Sequence, residues 1–230
     1  MASGREGVEI SRLPNYPIQD PLPFDIQPQK AEADLAGHRH VKRVSDGWLV
    51  GFDAGEFGGA LWWFSADGGS RKKLADDNVV GFADSASGVL ALVGLAHMGT
   101  DYGKVLLVRE SQGGERRVEV VADMGAAPAA YAMESDGSLL VATYEKLIRA
   151  RTTGGVEQLH APVNGFIIPN SMTLSDGGVL HIGMRHFVLR LSPADGGYRE
   201  EWFVPEDCPE FELRDYDCVC RSRRGGSNSS

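Results

Sequence analysis

Residues 134–143 read "ESDGSLLVAT": two polar residues, an Asp-Gly pair, then an apolar run. Asp-Gly marks a tight hairpin, because glycine reaches positive φ without strain and the short acidic side chain bonds to its own backbone. The pattern returns as "VSDGWLVGF" from Val44, "SASGVLALVG" from Ser85 and "LSDGGVLHIG" from Leu174, with marker glycines Gly47, Gly88, Gly137 and Gly177. A second marker follows each one, in glycine pairs or near-pairs ending at Gly69, Gly114, Gly155 and Gly197.

The flanking segments repeat in phase. Short first strands such as "AAYAM" (129–133) and "SMTL" (171–174) precede the first turns. "ALWWFSADGG", "KVLLVRESQGG", "KLIRARTTGG" and "FVLRLSPADGG" are third strands running into the second turn, and "SRKKLAD", "RRVEVVAD", "VEQLHAP" and "YREEWFVP" are more polar fourth strands. Four strands in a period of roughly 40–50 residues, with no helical pattern between them, predict an all-β propeller. The second strand is the most apolar, as expected of a strand covered on both faces. A two-sheet sandwich would not require both markers to recur in phase.

Four complete four-stranded blades account for 38–205. A fifth is expected to be closed by the chain termini, with 1–12, containing "GVEISRL", pairing with 206–221, containing "FELRDYDCVCR". Such closure removes exposed sheet edges. Residues 13–37 hold five prolines and read as an extended arm crossing the surface, and 222–230, "SRRGGSNSS", as a disordered tail.

The 230 residues are 42% hydrophobic and carry a formal charge of −9. That is enough to bury a substantial core, and the sign disfavours nucleic-acid backbones or anionic membranes as partners while suiting a basic one. No run of about 18 uncharged apolar residues occurs, and the N-terminus lacks a signal-peptide core, so the chain as written reads as cytoplasmic; a leader removed beforehand would make it periplasmic or exported. Cys208, Cys218 and Cys220 are an odd set. Two thiols at i and i+2 on one strand sit at the edge of disulfide range, which leaves Cys208 with either of the others, or three reduced thiols, as the alternatives.

"PNSMTLSDGGVLHIG", from Pro169, resembles the corresponding turn and strand of the calcium-dependent lactonase and gluconolactonase propellers and of related NHL-type repeats. The resemblance implies that Asn170 points into the central channel and binds a divalent cation, which is the route to a metal-dependent hydrolase. Ser171 stands where the family has glycine, and the turns read as equivalent offer Arg39, Asn78 and Ala127, none of them a carboxylate. A hard cation wants six or more oxygen ligands, usually carboxylates among them. No metal and no cofactor is therefore expected.

Other motifs fall to structure. "MGTDYGKV", from Met98, imitates a phosphate loop but is one residue short and runs into a strand; it reads as a long hairpin loop in the second blade with His97, Asp101 and Tyr102 exposed. His38 and His40 face one way if extended, but Lys42 and Arg43 would repel a cation. His181, inside "VLHIG", reads as an interior hydrogen-bonded histidine. Serine-elbow, H-E-x-x-H, dinucleotide and C-x-x-C motifs are absent, so no catalytic residue is assigned.

The acidic segment "PEDCPEFELRDYD" places Glu206, Asp207, Glu210, Glu212, Asp215 and Asp217 around Phe211, Leu213 and Tyr216. With Tyr102, and with Trp62 from "EFGGALWW", these are the candidate partner-binding residues: aromatics to bury, carboxylates to steer a basic protein. The expected function is a non-catalytic propeller that binds a protein partner, concretely an immunity protein or inhibitor neutralising a basic toxin. A carbohydrate-binding propeller, resting on tryptophans at the rims, and the lactonase-like hydrolase are the alternatives.

Overall fold

The structure, a computed structural model, describes residues 22–27, 34–111, 114–162, 165, 166, 168–185 and 187–203. Sixteen strands form four antiparallel sheets, each built from four consecutive strands in sequence order. The first holds β1 (His38–Val44), β2 (Gly47–Asp53), β3 (Gly59–Ser65) and β4 (Arg71–Ala75), and the second β5 (Val79–Ser85), β6 (Gly88–His97), β7 (Thr100–Glu110) and β8 (Arg116–Asp123). The third holds β9 (Ala130–Met133), β10 (Leu139–Ala142), β11 (Leu147–Ala150) and β12 (Val156–His160), and the fourth β13 (Ser171–Leu174), β14 (Leu180–Gly183), β15 (Val188–Ala194) and β16 (Gly197–Phe203). The only helical piece among the described residues is the 3-10 turn Gly55–Phe57. The fold is an all-β propeller with four complete blades. The expected closing strands, 1–12 and 206–221, lie outside the described residues, as do the tail and the three cysteines.

Two turn geometries generate the repeat. Ser45–Asp46 and Ala86–Ser87 are two-residue connections. Blades three and four use five residues: the Glu134 amide donates to the Ser138 carbonyl at 2.8 Å and that of Gly137 to Glu134 at 3.0 Å, while Ser175 and Gly178 do the same with Val179 and Ser175. The fourth position must be left-handed, and the residues there are Gly137 (φ 85°) and Gly178 (φ 74°). The marker in the last repeat is thus Gly178 and not Gly177, which lies one residue early.

Apolar strands pack blade on blade. Leu49 and Leu61 meet Ala91, Val93 and Leu106; Leu90, Leu92 and Leu107 meet Leu139, Val141 and Ile148; and Leu140, Ala142 and Leu147 meet Leu180, Ile182 and Leu189. Burial of each Leu, Ile or Val among these is worth about 1.5–3 kcal/mol.

The two end faces differ. The outer face of the first sheet is apolar, with Trp48, Val50, Phe52, Trp62 and Phe64, and Leu22, Phe24, Ile26 and Leu35 of the arm lie over it. The Phe24 and Phe64 rings are 5.7 Å apart, Arg71 donates to the Gln27 carbonyl, and Lys73 pairs with Asp34. The outer face of the fourth sheet carries the cross-strand row Thr173, His181, Arg190 and Glu201, with Arg190 Nε donating to Glu201 at 3.0 Å. His181 therefore sits on the polar end face and not in the interior between blades. β14 is the exception to the rule that second strands are apolar on both sides.

Candidate functional site

Each blade runs up and down, so the connections β2–β3, β6–β7, β10–β11 and β14–β15 open on the same rim as the links between blades. Cross-blade bonds stitch this rim together. Asn78 Nδ2 donates to the Gly55 carbonyl at 3.0 Å, the Ala127 amide to Asp101 at 2.7 Å, and the Phe166 amide to the Tyr144 carbonyl at 3.0 Å. His97 Nε2 lies 2.7 Å from a Glu56 carboxylate oxygen.

Large apolar side chains stand exposed on this rim, one from each blade or from the link leading into it. Phe57 is 86% exposed, Met98 90%, Tyr144 43% and Ile168 38%. Two of them are also strained: Met98 (φ 45°) and Ile168 (φ 49°) are the non-glycine residues at positive φ among those described. A side chain in the left-handed region costs about 1–2 kcal/mol, and a β-branched one is a genuine outlier there. Met98, almost wholly exposed, does not recover that cost by burial.

Carboxylates surround the apolar tips. Asp53 and Asp123 cap their own turns, accepting from Gly55 and Gly125 at 2.8 and 3.0 Å. Tyr102 is half-buried at the junction of the first two blades. Burial, and then the nearby carboxylates of Asp77 and Asp53, raise its hydroxyl above the usual tyrosine range.

His38 and His40 share a face as expected, ring centroids 4.7 Å apart. Burial foremost, and then His38, push the His40 pKa down to about 4 against the pull of Asp53. Among the described residues no three His, Cys, Asp or Glu are grouped to hold a metal ion.

Several expectations need correction. β6 and β7 continue to His97 and Thr100, so the "MGTDYGKV" loop is only the two-residue turn Met98–Gly99, and Asp101 and Tyr102 are strand residues. Glycines make the extension possible: a side chain at Gly94 would collide with the Tyr102 carbonyl and one at Gly103 with the Ala126 carbonyl, and both with Pro128 of the link to the third blade. Trp62 is buried in the first sheet, with Arg71 and Lys73 against its ring, and offers no rim contact. Nor do the other tryptophans form rim platforms for a sugar. Trp48 is buried, Trp63 donates to Asp46, and Trp202 packs on Phe187. Tyr102 and Asn170 do lie on the rim, whereas Glu206 to Asp217 fall outside the described residues. Met98, Tyr144 and Ile168 were not foreseen; the Met-Gly pair between two apolar runs was the one available turn signal.

The lactonase-type cation site fails on its donors. The residues that directly precede the inner strands are Gly37, Asn78, Ala129 and Asn170, which replaces the alignment through Arg39 and Ala127. Gly37 and Ala129 bring no side-chain ligand, and Asn78, whose Nδ2 is bonded to Gly55, offers a single buried amide oxygen, Oδ1, and no negative charge. The Asn170 side-chain oxygen accepts from Ser171 Oγ at 2.9 Å. A hard divalent cation does not fit this set.

The opposite rim holds an open cleft of about 400 Å³ between the first two blades, lined by Arg43, Asp84, Ser87, Glu110 and Arg116 among others. Its charges largely satisfy one another. The buried Arg116 guanidinium bonds to Asp46 and lies 3.8 Å from Glu110, Lys42 pairs with Asp84 at 2.7 Å, and Ser45 donates to Glu110 at 3.0 Å. Burial works upward on the Asp46 carboxyl, but the bonds from Arg116 and Trp63 outweigh it and hold the pKa below the usual value.

No family model matches the chain, and no curated protein matches it in sequence. Similar solved structures are propellers. One is a catalytically inactive virginiamycin B lyase from Staphylococcus aureus with quinupristin, 13% identical, covering 74% of this chain and 56% of that one at a TM-score of 0.48. Another is a putative 6-phosphogluconolactonase from Bacteroides uniformis, 12% identical, covering 72% and 56% at a TM-score of 0.44. A putative gluconolactonase is 15% identical, covering 69% and 60% at 0.42. The chain spans little more than half the length of these proteins.

Proposed function

We propose that this propeller is a recognition module that binds a basic protein partner through the rim carrying Phe57, Met98, Tyr144 and Ile168. One observation carries the reading: each blade, or the link into it, contributes an exposed apolar side chain to the same rim, and one of these, Met98, is held in a strained backbone conformation that burial does not repay. Strain retained at an exposed position points to use in binding. Exposed apolar anchors ringed by polar groups are the composition of a protein-contact surface. The carboxylates of Asp53, Glu56, Asp77 and Glu145 on the same rim, and the formal charge of −9, favour a cationic partner and fast, salt-sensitive association. The acidic segment 206–217 is a second steering element of the same sign. Neutralisation of a basic toxin is the concrete form this function would take.

The test is affinity capture from a lysate of the source cell with the parent protein, a rim variant (Phe57→Ser, Met98→Ser, Tyr144→Ser) and a control altered at two exposed valines on outer strands (Val120→Ser, Val156→Ser). A basic protein retained by the parent and the control but lost by the rim variant supports the reading. Retention by all three refutes it.

A further inference from the structure

The loops of the first two blades are set apart from the rest of the rim. Phe57 and Met98 are its most exposed apolar residues, and the Glu56–His97 pair ties the two loops at 2.7 Å directly beside them. Asn78 anchors the Gly55–Phe57 turn from below through the Gly55 carbonyl. The tips are thus held in place before any partner arrives, which lowers the ordering cost of association. Met98 and Gly99 (φ 45° and 89°) complete a turn whose first position favours Asn, Asp or Gly. A methionine there sacrifices turn stability for an adaptable, polarisable apolar tip. Asp77, next in sequence to the Asn78 that anchors the turn, makes no hydrogen bond or ion pair among the described residues, and its charge, with that of Asp53, acts on the Tyr102 hydroxyl.

We infer that this two-loop ridge is the principal contact point and that its occupant is a protein segment presenting a lysine or arginine beside an aliphatic residue. The inference rests on the rim reading above and narrows it. The aliphatic side chain and the stem of the basic residue lie on Phe57 and Met98, while the cationic head reaches Asp77 and Asp53. Long basic side chains bury their stems on apolar surface and keep the charge at its edge, which is the arrangement this ridge accommodates. Anionic polymers and anionic lipid surfaces are repelled by the same carboxylates.

Two synthetic peptides, acetyl-Lys-Leu-Lys-Leu-Lys-amide and acetyl-Glu-Leu-Glu-Leu-Glu-amide, are titrated into 15N-labelled protein. The lysine peptide is expected to shift the amides of 55–58, 76–78 and 97–102 in a saturable way, and the glutamate peptide to leave them unchanged. Met98→Gly should weaken that binding about fivefold, as loss of a contact anchor does. Its thermal midpoint should not fall, because glycine suits the turn better. Asp77→Asn should weaken binding about threefold and reduce its salt dependence. Unchanged affinity in Met98→Gly, or equal shifts from the glutamate peptide, overturns the ridge. Shifts centred on Tyr144 and Ile168 also overturn the ridge while keeping the rim, and shifts confined to the opposite rim refute both.

Discussion

Replacing Gly68 by alanine should act on a part of the chain 44 residues away, because Phe24 of the arm lies against it. A Cβ at Gly68 would stand within contact distance of the Phe24 ring atoms, at a backbone φ of +74°. The left-handed conformation alone costs about 1 kcal/mol. The clash adds the loss of arm packing. Phe24 is half-buried against Phe64, Trp62 and Val50, so displacing its ring forfeits about 1.5–2 kcal/mol of apolar burial. Gly68→Ala should then destabilise the parent protein by about 2.5–3 kcal/mol, but the Phe24→Ala variant, whose ring is already gone, by only about 1 kcal/mol. A double-mutant cycle by urea unfolding reads the difference, an interaction energy of about 1.5–2 kcal/mol. Additivity within about 0.3–0.5 kcal/mol would refute the claim that the arm caps the first sheet.

Two further outcomes follow from buried ionisable groups. His40, with its pKa held at about 4, stays neutral in the fold while the unfolded chain takes up a proton near pH 6.5. Its contribution is therefore complete above about pH 6.5 and is lost as pH falls towards 4, so unfolding free energy should drop between pH 7 and 5. His40→Gln should flatten that slope, and an imidazole titration midpoint near 6.5 in the folded protein would contradict the burial argument. Asp46→Ala removes the main partner of the buried Arg116 and should cost about 3 kcal/mol or more, whereas Glu115→Ala, breaking a solvent-screened pair with Lys72, should leave the unfolding midpoint nearly unchanged. Equal costs in chemical denaturation would show that Arg116 is not held by Asp46.

The strand plan was legible in the sequence because two turn signals recur in phase with apolar runs, and the structure places four strands in each repeat where those runs stand. The Gly177–Gly178 pair misled by one residue, since either glycine satisfies the pattern and only the hydrogen bond to Ser175 selects the second. The described arm residues, 22–27 and 34–37, cover the first sheet, a role not evident from their prolines. Its signal was present in the alternation of Leu22, Phe24 and Ile26 between prolines, which puts three apolar side chains on one face. The rim leaves the weakest trace in the sequence. Tryptophan in a sequence suggests a contact surface, yet Trp48 and Trp62 lie beneath the arm. The exposed tips Met98 and Ile168 carry no periodicity, and their strained backbone is a property of conformation and not of composition. Asn170 stands at the rim, and among the described residues the positions directly before the inner strands bring no carboxylate to it.

Hydrogen exchange on the captured complex, compared with the free protein, tests the recognition rim most directly. Binding there should slow exchange at the amides of 54–58, 97–100, 143–146 and 184–185 and leave the opposite turns, 45–46, 86–87, 134–138 and 175–179, unchanged. Protection confined to those opposite turns would contradict the account.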